Sequence, residues 1–351
     1  DRLPVILTKI IDYLSRDGNF MAVVTKLKND LVTNKDYEPF TVDTLEAKKW
    51  NEWIENQDNK KYFTNTWMFS ECYAYRKLYE GCELTKGLKE FDYFTEQKNE
   101  SFQNLLLPMC QVADKLIEML NKSDKDKRKA DFVTLLKVCT FKRSSFFKYL
   151  LTDIICDNAG YELFSDLCLA SFLIEQEIVE MVRFHVKRMP WFVSDVTLKD
   201  FHLGLDGVMC VSCEIFLFII MKLCFQAEDF WTYPHVYRDM KKYDYNMYRK
   251  LQYAIALLFK GDLNYRKLVG DRNVNPYTGL EPNLQGFIPA PIIAVRTVKA
   301  ETVCGLPKGK MDALNKINEK WMQTGDYGNI ENSATRCRLD DDLIMYKNDI
   351  E

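Results

Sequence analysis

Residues 254–267 read Ala254-Ile255-Ala256-Leu257-Leu258-Phe259-Lys260-Gly261-Asp262-Leu263-Asn264-Tyr265-Arg266-Lys267. The apolar run that opens this stretch, closed by a glycine, has the length and composition of a buried strand. Strands apolar on both faces belong to parallel sheets covered by helices. The octapeptide 260–267 that follows carries a glycine, an acid, an amide and the basic side chains Lys260, Arg266 and Lys267. Few structural tasks need that mixture, whereas an anionic ligand, most simply a phosphate, does.

Further strand candidates lie at 154–156, 181–186, 191–193 and 291–298. They are interleaved with amphipathic stretches such as 161–174. Strands alternating with helices predict an α/β domain of Rossmann-like, three-layer type with a largely parallel sheet. In such sheets ligands bind beyond the carboxyl ends of the strands. Four polar clusters fall at or just after these ends: Asp157-Asn158, Ser194-Asp195, Gly261-Asp262 and Thr297-Val298-Lys299. Upstream, 3–14, 20–32, 42–54, 66–79, 101–120 and 130–150 place apolar residues at helical spacing. Dense aromatic residues there (Trp50, Trp53, Tyr62, Phe63, Trp67) read as packing between helices. The expected organisation is a helical region over 1–150, an α/β domain over 151–330 and an atypical tail over 331–351.

The 351 residues are 47% hydrophobic and 28% charged, enough for a sizeable core. A net charge of −3, with Lys and Arg spread along the chain, gives no basic face for nucleic acid. Eleven scattered cysteines read as free thiols in a reducing compartment, the cytoplasm or the nucleus. The sequons at Asn99 and Asn121 are discounted as chance matches. No signal peptide is visible, and residue 1 is Asp. The apolar stretch 208–225 is long enough for a membrane span, but Glu214 and Lys222 oppose that reading. A buried helix or strand pair is expected there instead.

Asp157, Asn158 and Asp195 offer only oxygen ligands, the set preferred by hard divalent cations. The Asp-Asn pair is also a good helix N-cap, so both readings stand at this point. His185, His202 and His235 lack ligand spacing, and the lone Cys210-x-x-Cys213 reads as structural. Lys260, Arg266, Lys267, Arg296 and Lys299 supply candidate phosphate partners; for Arg266 and Lys267 a solvated helix face is an equal alternative. A metal and a cationic clamp are the minimal apparatus of phosphoryl transfer. The stretch 305–310 imitates a P-loop but is one residue short and has Met311 where Ser or Thr is required. There is no G-x-G-x-x-G, and no Ser-His-Asp arrangement follows from the spacing.

These motifs together resemble one known family. The segments 157–163 (Asp-Asn-Ala-Gly-Tyr-Glu-Leu), 190–197 (Pro-Trp-Phe-Val-Ser-Asp-Val-Thr), 230–235 (Phe-Trp-Thr-Tyr-Pro-His), 260–267 with Gly270-Asp271-Arg272, and Arg296-Thr297-Val298-Lys299 are similar, in order, to the DUF89 damage-control phosphatases of the R-T-x-K branch. Segments 3–9 and 67–76 extend the resemblance into the helical region. It implies a helical region packed on an α/β domain. It also implies a phosphatase dependent on Mn²⁺ or Ni²⁺, with Co²⁺ or Mg²⁺ as further options, acting on sugar phosphates such as fructose 1-phosphate and fructose 6-phosphate. Carried over by position, Asp157, Asn158 and Asp195 are the metal and catalytic residues. Asp262, Leu263, Asn264, Tyr265, Arg266 and Lys299 are the substrate-binding ones. Carboxyl methylation of a protein substrate with S-adenosylmethionine, with Glu162 and Asp195 at the cofactor, is the alternative activity the family implies.

The chain departs from the family in three stretches. A W-G-N-x-x-D-L-S motif expected after Leu136 is missing, and 138–152 runs almost directly into the Asp157 strand. The apolar 208–225 replaces a more polar helix, and 331–351 does not resemble the family's end. A phosphate wall that survives in an incomplete site, with weakened or lost activity, is the expectation these departures raise.

Overall fold

The computed structural model describes residues 2–13, 18–104, 111, 150–209 and 222–333. Among the described residues five helices come first: α1 (Arg2–Tyr13), α2 (Gly18–Val32), α3 (Leu45–Glu55), α4 (Trp67–Leu84) and α5 (Thr95–Asn104). The starts of α3 and α4 are written locally. Thr44 Oγ1 accepts from the Ala47 N–H at 3.1 Å and Thr66 Oγ1 from the Phe69 N–H at 3.4 Å. Each cap satisfies a donor with no partner inside its helix.

The second part is an α/β unit of β1 (Leu151–Ile155), α6 (Tyr161–Glu175), β2 (Met181–His185), α7 (Leu198–Met209), β3 (Leu223–Gln226), β4 (Ala256–Lys260), α8 (Asp262–Val269), β5 (Ile292–Thr297), α9 (Lys310–Ile317) and β6 (Gly328–Asn332). The strands form one sheet in the order β3-β2-β1-β4-β5-β6, all parallel except β6, which runs antiparallel to β5. The expected largely parallel α/β sheet is therefore present.

Alternation along the strands divides the core. Ile155, Leu257 and Phe259 face a large cluster that also holds Leu7, Trp50, Tyr75 and Trp191. Their neighbours Ile154 and Leu258 face the cluster built on α6, with Leu163, Leu167 and Phe201. This two-sided burial is why β4 reads as a continuous apolar run. The helical region thus shares one core with the sheet.

One strand expectation is corrected. Trp191-Phe192-Val193 is a turn, with φ of 43° at Phe192 and 78° at Val193. Its β-prone composition is overridden by packing: Trp191 is wholly buried and the Phe192 ring stacks on Tyr75 at 4.6 Å. No helix among the described residues is long and apolar enough to cross a membrane. Of the stretch 208–225, α7 takes the first two residues and β3 the last three, while 210–221 lie outside the described residues. So do Cys210, Cys213 and nearly all of 138–152 and 331–351. None of the six described cysteines forms a disulfide.

Candidate active site

The winding reverses at β1: one crossover leads to β2 and β3, the return leads across to β4 and β5. A crevice opens where neighbouring strands send their connections to opposite sides, here between the ends of β1 and β4. Cys156-Asp157-Asn158 leave β1 there, and Gly261-Asp262 leave β4. The turn after Trp191 supplies the third wall. The Ala159 N–H donates to the Ser194 carbonyl at 2.7 Å and the Val196 N–H to the Asp157 carbonyl at 2.8 Å, a bridge that sets Asn158 opposite Asp195. Asp157, Asn158 and Asp195 are thereby brought together.

The packing at Asp157 is close. Gly261 has a φ of 86°, and a Cβ there would lie 2.0 Å from the Asp157 carboxylate. Only a residue without a side chain lets β4 exit past that group. Asn158 donates through Nδ2 to Asp157 Oδ2 and to Glu162 Oε2, both at 2.7 Å, and its Oδ1 accepts from Ser194 Oγ at 2.5 Å. Gly160, not Asn158, is the N-cap of α6, and no side chain bonds there. The Asp-Asn pair is therefore free of the capping task that its sequence allowed.

Burial pushes Asp157 well above the ordinary carboxylate range, and the charges of Asp195 and Glu162 push it further; Lys187 and Lys299 oppose them. Asp195 is also raised by burial, against the pull of Lys187 and Lys98. Lys187 Nζ lies 3.1 Å from Asp195 Oδ2 and donates to the Cys156 carbonyl at 2.9 Å. That ion pair is the contact Asp195 Oδ2 makes inside the protein. Two buried carboxylates, the charge of Asp195 disfavouring that of Asp157 and only Lys187 and Lys98 offsetting Asp195, fit a divalent cation. The Asp157, Asp195 and Asn158 oxygens would hold it. Among the described residues no three His, Cys, Asp or Glu side chains form a metal group, so this set depends on the amide.

The predicted substrate-binding residues divide into two groups. Asp262 opens α8, with Oδ1 3.4 Å from Arg296 Nη1 and 3.4 Å from the Lys299 N–H. Lys299 is exposed at the exit of β5 and close enough to act on the Asp157 charge. These two face the crevice. By contrast, Leu263 and Tyr265 send their side chains into the core. The Tyr265 hydroxyl donates to Glu331 Oε1 at 2.6 Å. Asn264 is buried, accepting from the Tyr237 hydroxyl at 2.5 Å and donating to the Lys260 carbonyl at 2.6 Å. Residues 263 and 264 thus offer the crevice their backbone rather than side chains, while the Tyr265 N–H is bonded to the Gly261 carbonyl at 3.1 Å. Arg266 pairs with Asp271 at 2.6 Å and lies over the Trp67 ring at 3.4 Å from its centre. Lys267 is wholly buried against the Tyr233 carbonyl at 2.7 Å, and burial pushes it down to about 8. Lys260 turns away to Asp166 (2.6 Å) and Glu162 (3.2 Å).

Two lysines were not read from the sequence. Lys187 follows β2, so the strand-end rule applied to that strand as well would have found it. Lys98, on α5, donates to the Asp195 carbonyl at 3.0 Å, to Asp92 at 2.7 Å and to Asp200 at 2.6 Å. Nothing in its local sequence signals that reach. The histidines hold no ligating arrangement: His185 sits between Asp153 and Glu228, and His235 is stacked on Tyr243.

The family profile of the damage-control phosphatase ARMT1-like domain matches residues 1–141 and 148–314. The interruption at 142–147 falls inside the divergent stretch 138–152. Damage-control phosphatase ARMT1 of Danio rerio is 30% identical over 417 aligned residues, covering 95% of this chain and 93% of that protein. Its counterpart in Homo sapiens is 29% identical over 411, covering 93% of each. Both alignments are longer than the chain, so these relatives carry segments that it lacks. Among solved structures, a DUF89 family protein from Pyrococcus horikoshii is 13% identical over 85% of this chain and 89% of its own, with a TM-score of 0.39.

Proposed function

Because this chain belongs to the damage-control phosphatase ARMT1-like family, we propose that it is a metal-dependent phosphatase whose substrates include the sugar phosphates fructose 1-phosphate and fructose 6-phosphate. The observation that carries this reading is the meeting of Asp157, Asn158 and Asp195 with the amino end of α8 at the sheet's switch point. A helix start leaves its first N–H groups without intrahelical partners and presents a positive dipole end. Backbone N–H groups of 262–264 therefore suit a phosphate, with Lys299 as an exposed counter-charge. A divalent ion such as Mn²⁺, Ni²⁺, Co²⁺ or Mg²⁺ would supply Lewis-acid stabilisation of the phosphoryl oxygens. Asp157 and Asp195 would hold it, and Asn158 would contribute its amide oxygen. Asp262, fixed by Arg296 and the Lys299 N–H, orients the sugar end. The free cysteines suit a reducing compartment, cytoplasmic or nuclear.

The test is release of inorganic phosphate from fructose 1-phosphate with Mn²⁺, and its loss in Asp157→Ala. Turnover that survives Asp157→Ala would sink the assignment of the site. No turnover with any of the four ions would make the chain a remnant whose phosphate wall outlived its catalysis. Heat of binding with S-adenosylmethionine in the absence of metal would instead favour carboxyl methylation of a protein substrate, with Glu162 and Asp195 at the cofactor.

A further inference from the structure

A cavity of about 720 Å³ lies beside the crevice, between α1, α2 and the start of α4. Asp157 does not line it. The connection runs through two residues. Phe192, on its wall, is two positions from Ser194, which bonds Asn158; Trp67, also on its wall, carries Arg266 on its ring.

The walls are mostly aromatic and aliphatic. Tyr62, Phe63, Trp67, Tyr75 and Phe192 supply the rings. Phe63 is 64% exposed, Trp67 37% and Val32 57%, so apolar surface gathers at one mouth. Isolated exposed apolar residues need no explanation, but a group of them around a cavity marks a binding surface. The polar wall residues are occupied. Ser70 donates to the Tyr62 carbonyl at 2.8 Å. Asn65 donates to Gln57 and to the Asn59 carbonyl and accepts from the Thr66 N–H. Glu71 has a partner as well.

These features decide the ligand class. The volume falls in the range that encloses a ligand of several rings, more than one hexose requires. A sugar placed here would bury hydroxyls against walls whose polar groups are already paired, an unfavourable exchange. A flat apolar ring meets complementary faces and loses nothing.

The geometry points to a second subsite: this cavity receives the alcohol part of phosphate monoesters that carry an aromatic or other apolar ring, while the phosphate lies at α8. The inference rests on the phosphatase reading and extends it to a substrate class other than sugar phosphates.

Calorimetry with two non-hydrolysable probes tests it, in the presence of Mn²⁺. We expect 1-naphthylmethylphosphonate to bind roughly tenfold or more tighter than methylphosphonate, the gain from burying a ring. In Phe63→Ala and in Val32→Asp, two exposed positions on different walls, that ratio falls towards unity while methylphosphonate binding is unchanged. Equal binding of the two phosphonates by the wild-type protein, or no binding of either, overturns the subsite. So does a ratio that both variants leave intact. Failure to hydrolyse any ester, with the binding ratio intact, would count against the phosphatase reading alone.

Discussion

At the scale of single residues, Gly261 and Asp157 act as a pair. A methyl group at 261 would collide with the carboxylate and would sit in the left-handed region as well. Gly261→Ala is expected to lower the proposed Mn²⁺-dependent phosphatase activity by about a hundredfold, since small displacements of reacting groups cost that much. Circular dichroism should show the fold retained. Asp157 itself is a strain on the metal-free protein. Its carboxyl is raised in the folded state above the unfolded value of 3.8, so the stability tied to it is full below that value and is lost as pH rises through the folded value. In EDTA, Asp157→Asn should therefore melt higher than wild type at pH 8 and no higher at pH 3.5. Equal Tm differences at both pH values would contradict the raised carboxyl. Asp157, Asn158 and Asp262 were legible because strand-end chemistry is local, whereas Asp195 was reached through a strand at 191–193 that is a turn. The bonded state of Asn264 was not, because its partner Tyr237 is remote in sequence and only packing reveals it.

Among the elements, the turn at 192–194 shows what sequence pattern misses. Three β-prone residues read as strand, yet aromatic contacts with α4 fold them into two consecutive left-handed residues. A β-branched residue there is held against its preference at a cost of about 1–3 kcal/mol. Val193→Gly should relieve this, offsetting the lost side chain. Val196→Gly, at a wholly buried neighbour with ordinary φ, should destabilise by at least about 2 kcal/mol more in denaturant titrations. Similar midpoints for the two variants would argue against strain. The strands β4 and β5 could be read because burial on both faces leaves a plain apolar run; β2, with Arg183 and His185, was read from its alternation, and β1 only from its apolar end at 154–156. β6 could not: Gly328-Asn329-Ile330-Glu331-Asn332 has little strand character and is placed by pairing with β5 and by the Glu331 bonds to Tyr265 and Cys304.

For the molecule as a whole, the shared core removes any energetic boundary near residue 150. Leu7, Trp50 and Tyr75 pack in one cluster with Ile155, Phe259 and Ile292. Lys98 reaches across as well, to the loop that carries Asp195. Thermal unfolding should accordingly show a single transition by tryptophan fluorescence and by far-UV circular dichroism. Residues 151–333 produced alone should lack a near-UV signal, since one face of the sheet would be stripped. Two separated transitions would refute this coupling.

The strand order has a temporal meaning too. β1 lies mid-sheet, and its partner β4 begins about a hundred residues later in the chain. On the ribosome, β1 emerges with one neighbour still unsynthesised, and the crevice beside Asp157 has no second wall until Gly261 leaves the exit tunnel. Pairing across so long a separation is slow, because loop closure precedes any reward from contact. The nascent chain therefore carries Asp157 through about a hundred residues of further synthesis without Gly261 beside it, and the crevice closes only when β4 docks.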